Sequence, residues 1–159
     1  FKLDYYEELD IEKIVKKSAQ VLKLIIVPEA VKMIAAASRF TPRVANRLLK
    51  RVRDYASVYN KEIIDADTVK LALQMLEIDH LGLEPADRRL LEVVIKKFNG
   101  GPVGINTLAA AMSDDPQTIE DVYEPYLMRL SLLQRTSSGR VAMPSAYKHL
   151  NIKMPDSLV

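Results

Sequence analysis

Apolar residues recur at spacings of three and four along most of this chain, and that rhythm admits little besides amphipathic helices. Ile11, Ile14, Val15, Ser18 and Leu22 form one stripe over residues 8–23. Pro28 opens a second helix with Val31, Ile34 and Ala35 inside, ending near Ser38. A third runs from Pro42 to about Val58, with Thr41 as N-cap and Val44, Ala45, Leu48, Leu49, Val52, Tyr55 and Tyr59 on its buried side. Asp65 caps a fourth that turns Val69, Leu73 and Leu76 inward. Ahead of these, "FKLDYY" reads as a short extended segment. The prediction is a compact four-helix unit.

The rhythm breaks at "EIDHLGLEP", where Gly82 and Pro85 punctuate the chain and Pro85 suits a helix start. The next helix buries Leu90, Leu91, Val94, Ile95 and Phe98. "NGGPVG" is a tight turn into a brief strand, and Asn106 is the expected cap of a helix over 107–112. After the "SDDP" turn, a helix places Ile119, Val122, Tyr123, Leu127 and Leu130 inside, and Pro125 should kink or divide it. "LLQRTSSGRVAM" then changes to alternation, two strands around a Ser-Ser-Gly turn. A short helix over 146–150 closes the unit. Helix, short strand, helix–turn–helix and hairpin is the order of a winged helix.

The 159 residues suffice for one domain or two small ones. Cysteine is absent, which removes disulfides and thiolate chemistry and permits the cytosol. No apolar run approaches ~18 residues, so no membrane span is expected. The first residues are acidic and lack an apolar core, so no secretory signal is expected. A chain starting at Phe1 is read as a piece of something longer. Net charge is +2. Residues 1–76 hold 14 Lys/Arg against 10 Asp/Glu, and residues 77–159 hold 9 against 11. Any contact of the second part with nucleic acid must therefore be a local cluster.

Two arrangements of arginine stand at unfavourable places. Arg43 lies in the first turn of the third helix, where the partial positive charge of the helix terminus repels a cation. A phosphate there would gain both the free backbone N–H groups and the guanidinium fork. Arg47, Lys50 and Arg51 on the same helix fit a solvated basic face. Arg135 and Arg140 flank the hairpin turn and should face each other across the ladder, where like charges repel. A polyanion beside them, such as a DNA backbone, would relieve this; Arg129 is a candidate addition to the patch. The dispersed His80 and His149 do not suggest a metal site. The pairs Asp65/Asp67 and Asp114/Asp115 suit caps. No phosphate-loop pattern and no nucleophilic triad is present.

"SRFTPRVANRLLKRVRDYA", "GGPVGINTLAAAM", "TIEDVYEPYLM" and "LLQRTSSGRVA" occur in the order that resembles the C-terminal part of the RuvB family of bacterial Holliday-junction branch-migration motors. The resemblance runs from "KLDYY" to "AYKHL". It implies a mainly α chain: a four-helix AAA+ lid over residues 1–76, then a winged-helix DNA-binding head over 77–159 with a short β-hairpin wing. It implies an ATP-driven hexameric helicase, acting in recombination and repair in the bacterial cytoplasm at the nucleoid. The large nucleotide-binding domain would lie outside this chain, so the chain alone is expected not to hydrolyse ATP. ATP or ADP with Mg²⁺ would bind only with that domain present, and no metal is expected on this chain itself. The implied partners are junction and duplex DNA, neighbouring subunits of the ring, RuvA through the large domain, and the RuvC resolvase, with no membrane. Residue by residue, the resemblance makes Arg43 the sensor of the γ-phosphate. It places Pro42 and Tyr6 near the nucleotide, and makes Arg135 and Arg140 the DNA contacts. Phe40 and Ser131 stand where the family usually has glycine, and Ser138 where a basic residue is common. Phe40 bears on the helix start and so on the aim of Arg43. The competing expectation is a stand-alone winged-helix regulator with a helical partner-binding domain.

Overall fold

A computed structural model describes residues 6–155. The chain forms two compact units, Phe1–Glu84 and Pro85–Val159. The "FKLDY" segment lies outside the described residues.

The first unit contains α1 (Glu8–Val21), β1 (Ile25–Ile26), α2 (Pro28–Ala36), α3 (Pro42–Val58), β2 (Ile63–Ile64) and α4 (Ala66–Met75). Ile11, Val15, Ile34, Leu48, Leu49, Val52 and Val69 are fully buried at its centre. Each such aliphatic side chain contributes about 1.5–3 kcal/mol relative to an exposed one. The helical stripes are those the spacing predicts, with two differences. Helix α1 stops at Val21, because the chain turns left-handed at Lys23 (φ 54°). Tyr59 is 54% exposed rather than buried, and its ring lies 4.5 Å from that of Tyr55.

Between the helices, Ile25 and Ile26 pair in parallel with Ile63 and Ile64. Asp65 caps α4 as expected: its carboxylate accepts from the Thr68 N–H at 2.8 Å and the Thr68 hydroxyl at 2.7 Å. These bonds favour the charged form and hold the Asp65 carboxyl below its ordinary value of 3.8.

The second unit contains α5 (Pro85–Lys97), α6 (Ile105–Met112), α7 (Pro116–Thr118), α8 (Glu124–Arg129), β3 (Leu133–Thr136), β4 (Gly139–Ala142) and α9 (Pro144–His149). Leu90, Leu91, Val94, Leu108, Ile119, Leu127 and Ala146 are fully buried. Gly104 rather than Asn106 takes the N-cap position of helix α6, which starts two residues earlier than expected, at Ile105. Asp115 caps α7 by accepting from the Thr118 N–H at 3.1 Å.

A π-helical turn joins α7 to α8 ahead of Pro125, so the helix is interrupted there rather than ended. Residues Ile119–Tyr123 form a π-helical turn, and the Glu124 N–H donates to the carbonyl of Ile119, five residues back. Pro125 has no N–H to offer to the preceding turn. The wider turn absorbs this without ending the helix.

Helix α8 ends at Arg129, and the chain leaves it through Ser131, which adopts φ 54°. A side chain in left-handed geometry is strained, and glycine is not. Ser131→Gly is therefore expected to stabilise this unit by about 1 kcal/mol, read as a higher urea midpoint at unchanged slope. A lower midpoint would mean that more than backbone geometry is at stake there.

Candidate nucleotide and nucleic-acid sites

The start of α3 is the first candidate. Arg39 and Phe40 are both left-handed (φ 55° and 54°), and the helix nonetheless begins at Pro42 with Thr41 in the N-cap position. Phe40 thus takes the backbone conformation a glycine would supply, and the helix starts at Pro42 as the sequence predicts. The Thr41 hydroxyl donates to the Arg39 carbonyl at 2.9 Å, so no side chain caps the first turn. Arg43 is exposed and makes no ion pair and no side-chain hydrogen bond among the described residues.

Further along the same helix, Arg47 lies 3.6 Å from Glu84 and Arg53 lies 2.7 Å from Asp54. Arg43 lacks any such relief. Pro42 is at the first helical position beside it. Tyr6 stands half-exposed ahead of α1.

The second candidate is the hairpin β3–β4. Its register pairs Leu133 with Ala142, Gln134 with Val141, Arg135 with Arg140 and Thr136 with Gly139, around Ser137 and Ser138. The two arginines are direct cross-strand partners and so project from the same face of the hairpin. A third segment joins at Val103, which exchanges backbone hydrogen bonds with Arg140 at 3.0 and 2.8 Å. Gly139 permits this approach: at φ 135°, a Cβ there would lie 2.5 Å from the Val103 carbonyl oxygen.

The counter-charge for the arginine pair lies within the chain. Glu124, only 1% exposed, gives one carboxylate oxygen to each: Oε1 accepts from Arg140 Nε at 2.5 Å and Oε2 from Arg135 Nε at 3.1 Å. Arg135 Nη2 also reaches Glu124 Oε2 at 2.5 Å. Glu120 stands over the outer side, with Oε1 at 2.6 Å from Arg140 Nη2 and 3.4 Å from Arg135 Nη2. Two guanidinium groups and two carboxylates make a neutral ring. The hydrogen bond to Glu124 raises the Arg140 pKa further above its already high ordinary value.

Side-chain exposure separates the four. Arg140 and Glu124 are enclosed at 9% and 1%, whereas Arg135 and Glu120 remain 47% and 35% open. The repulsion that the sequence assigns to an external polyanion is therefore already met by Glu120 and Glu124. Their spacing of four, on the helix preceding the hairpin, was the available signal. Among the described residues, no group of three or more potential metal-ligating side chains occurs. Among the described residues, no helix is long and apolar enough to cross a membrane.

A helical lid followed by a winged helix defines the C-terminal architecture of an AAA-type motor. Family models bear this out: the RuvB AAA lid domain matches residues 6–79 and the RuvB C-terminal winged helix domain residues 80–151. The RuvB subunit of the Holliday junction branch migration complex from Rubrobacter xylanophilus is 52% identical over 155 residues, and that from Ligilactobacillus salivarius 49% over 151. Thermotoga maritima RuvB, described as a Holliday junction branch migration motor, superposes with a TM-score of 0.91 at 42% identity, over 96% of this chain and 51% of that one. This chain belongs to the RuvB family and comprises its lid and winged-helix parts. It spans 44% and 45% of the length of the two relatives.

Proposed function

We propose that this chain is the nucleotide-sensing lid and DNA-engaging head of an ATP-driven motor that moves Holliday junctions in recombination and repair. Residues 1–76 act as lid and 77–159 as head. The observation that supports the nucleotide role is Arg43, a cation without a partner among the described residues, beside an uncapped helix start. The residues there suit a phosphate: backbone N–H groups and a free guanidinium converge on one turn. ATP with Mg²⁺ supplies the phosphoryl group whose loss drives the cycle. Arg43 would hold the terminal phosphate, with Pro42 and Tyr6 near the nucleotide. Release of Arg43 lets the lid turn as a rigid body. In a hexameric ring each lid passes that rotation to a neighbour, and the wing draws the DNA backbone along. Phosphate contacts, carrying no sequence information, suit a motor that must move any homologous arms. RuvA and RuvC are the partners of the assembled motor, and the bacterial cytoplasm, at the nucleoid, is its place.

Within the wing, Arg135 is the arginine that meets phosphate first, being half-open, and Arg140 holds the hairpin in place. Fluorescence anisotropy with random duplex and four-way junction DNA tests this. Arg135→Ala is expected to weaken both complexes and to reduce the log–log salt slope by about 1. Unchanged affinity across salt would remove the wing from the DNA interface. Arg135 is the informative choice, because Arg140→Ala would also strand the buried Glu124. The regulator reading gains nothing from the family comparison. Its proposed recognition helix is moreover acidic, with Glu120, Asp121 and Glu124.

A further inference from the structure

We propose that Glu120 is an internal stand-in for DNA phosphate: its carboxylate occupies the outer side of the Arg135–Arg140 pair and is exchanged for a backbone phosphate when the wing engages DNA. This rests on the wing reading above. The two carboxylates of the ring differ in what holds them. Glu124 is enclosed and bonds both arginines from within, so its removal would strand buried charge. Glu120 is 35% exposed, and its Oε1 atom spans both Nη2 groups, at 2.6 and 3.4 Å. An ion pair that water already reaches is weak and readily replaced. It sits in the π-helical turn 119–123, a kind of distortion frequent at functional sites.

The exchange accounts for a difficulty in the site. Arg140 is 9% exposed, and its Nη2 group is held by Glu120. With Glu120 turned outward, a phosphate oxygen can take the same position between the two guanidinium groups. Glu124 stays in place and keeps both forks aimed. One anion replaces another, so little net electrostatic energy is released. Binding is correspondingly weak and reversible, as a wing that must release and regrip requires.

The test is random-duplex binding by this 159-residue chain with Glu120→Gln, an isosteric change at a partly exposed position. The amide oxygen can still accept from Arg140, and an unchanged thermal melt checks the fold. Duplex affinity is expected to rise about two- to fivefold, the strength of an exposed ion pair, and the salt slope to steepen by about one counterion. Asp121→Asn controls for general loss of negative charge: Asp121 is exposed and bonds Gln117, not the arginines. A gain for Glu120→Gln well above that for Asp121→Asn supports the exchange. Equal gains, no gain, or weaker binding overturns it. Arg135→Ala separates the two levels: if it leaves affinity unchanged the wing reading fails, and if it weakens binding while Glu120→Gln has no effect the exchange alone fails.

Discussion

Glu124→Ala unfolds the winged-helix unit at a much lower denaturant concentration, with an expected loss of about 3–5 kcal/mol. The magnitude comes from what is left behind. Glu124 is 1% exposed and is bonded by Arg140, itself 9% exposed on its side chain. Removing the carboxylate leaves an enclosed guanidinium without its main partner. The open Arg135 adds little, because water and salt can solvate it. The pair as a whole need not be worth that much. Replacing both members, Glu124→Leu with Arg140→Met, is expected to recover most of the loss, since a buried ion pair and an apolar pair of similar volume are often nearly equivalent. Urea titration of the single and double variants gives the comparison. A loss below about 1 kcal/mol for Glu124→Ala, the range of exposed pairs, would mean the ring is solvated rather than enclosed.

Arg43→Ala, placed in a protein that includes the nucleotide-binding domain, is expected to lower ATP turnover about 100-fold or more, as loss of one transition-state donor does, with nucleotide affinity little changed. The reasoning is electrostatic. Among the described residues Arg43 gains nothing from its surroundings: it is exposed, without an ion pair and at the repulsive end of α3. A phosphate that gains negative charge on its outer oxygens is the group to which that placement responds most. Arg43→Lys keeps the charge but loses the fork, so it should recover only part of the turnover. Steady-state turnover with separately measured nucleotide binding separates the roles. Normal turnover in Arg43→Ala would remove it from the nucleotide site.

The helices were legible because packing and capping agreed. Leu48, Leu49 and Val52 on α3, and Leu90, Leu91 and Val94 on α5, follow a spacing that only a helix buries on one side. The hairpin register followed from the turn, and with it the Arg135–Arg140 juxtaposition. The two-residue parallel ladder Ile25–Ile26/Ile63–Ile64 was not legible: it pairs segments almost forty residues apart, each too short for any period. Nor was the left-handed backbone at Phe40 and Ser131, where surrounding structure imposes what local preference resists.

The wing site shows where local reasoning stops. Two facing arginines correctly demanded negative charge. The sequence offered Glu120 and Glu124 four residues apart, but these read only as a reason against groove insertion. Whether the nearest anion belongs to a partner or to the same chain is decided by tertiary structure.

The inner carboxylate also makes the hairpin mechanically continuous with the helix behind it. Glu124 is the first residue of α8, and its two oxygens grip both strands. A tug on the Arg135 guanidinium passes through Glu124 directly into the helical backbone, without first stretching the Ser137–Ser138 tip. The tip can stay soft while its base behaves as a stiff lever, so force applied to Arg135 is delivered to the body of the winged helix.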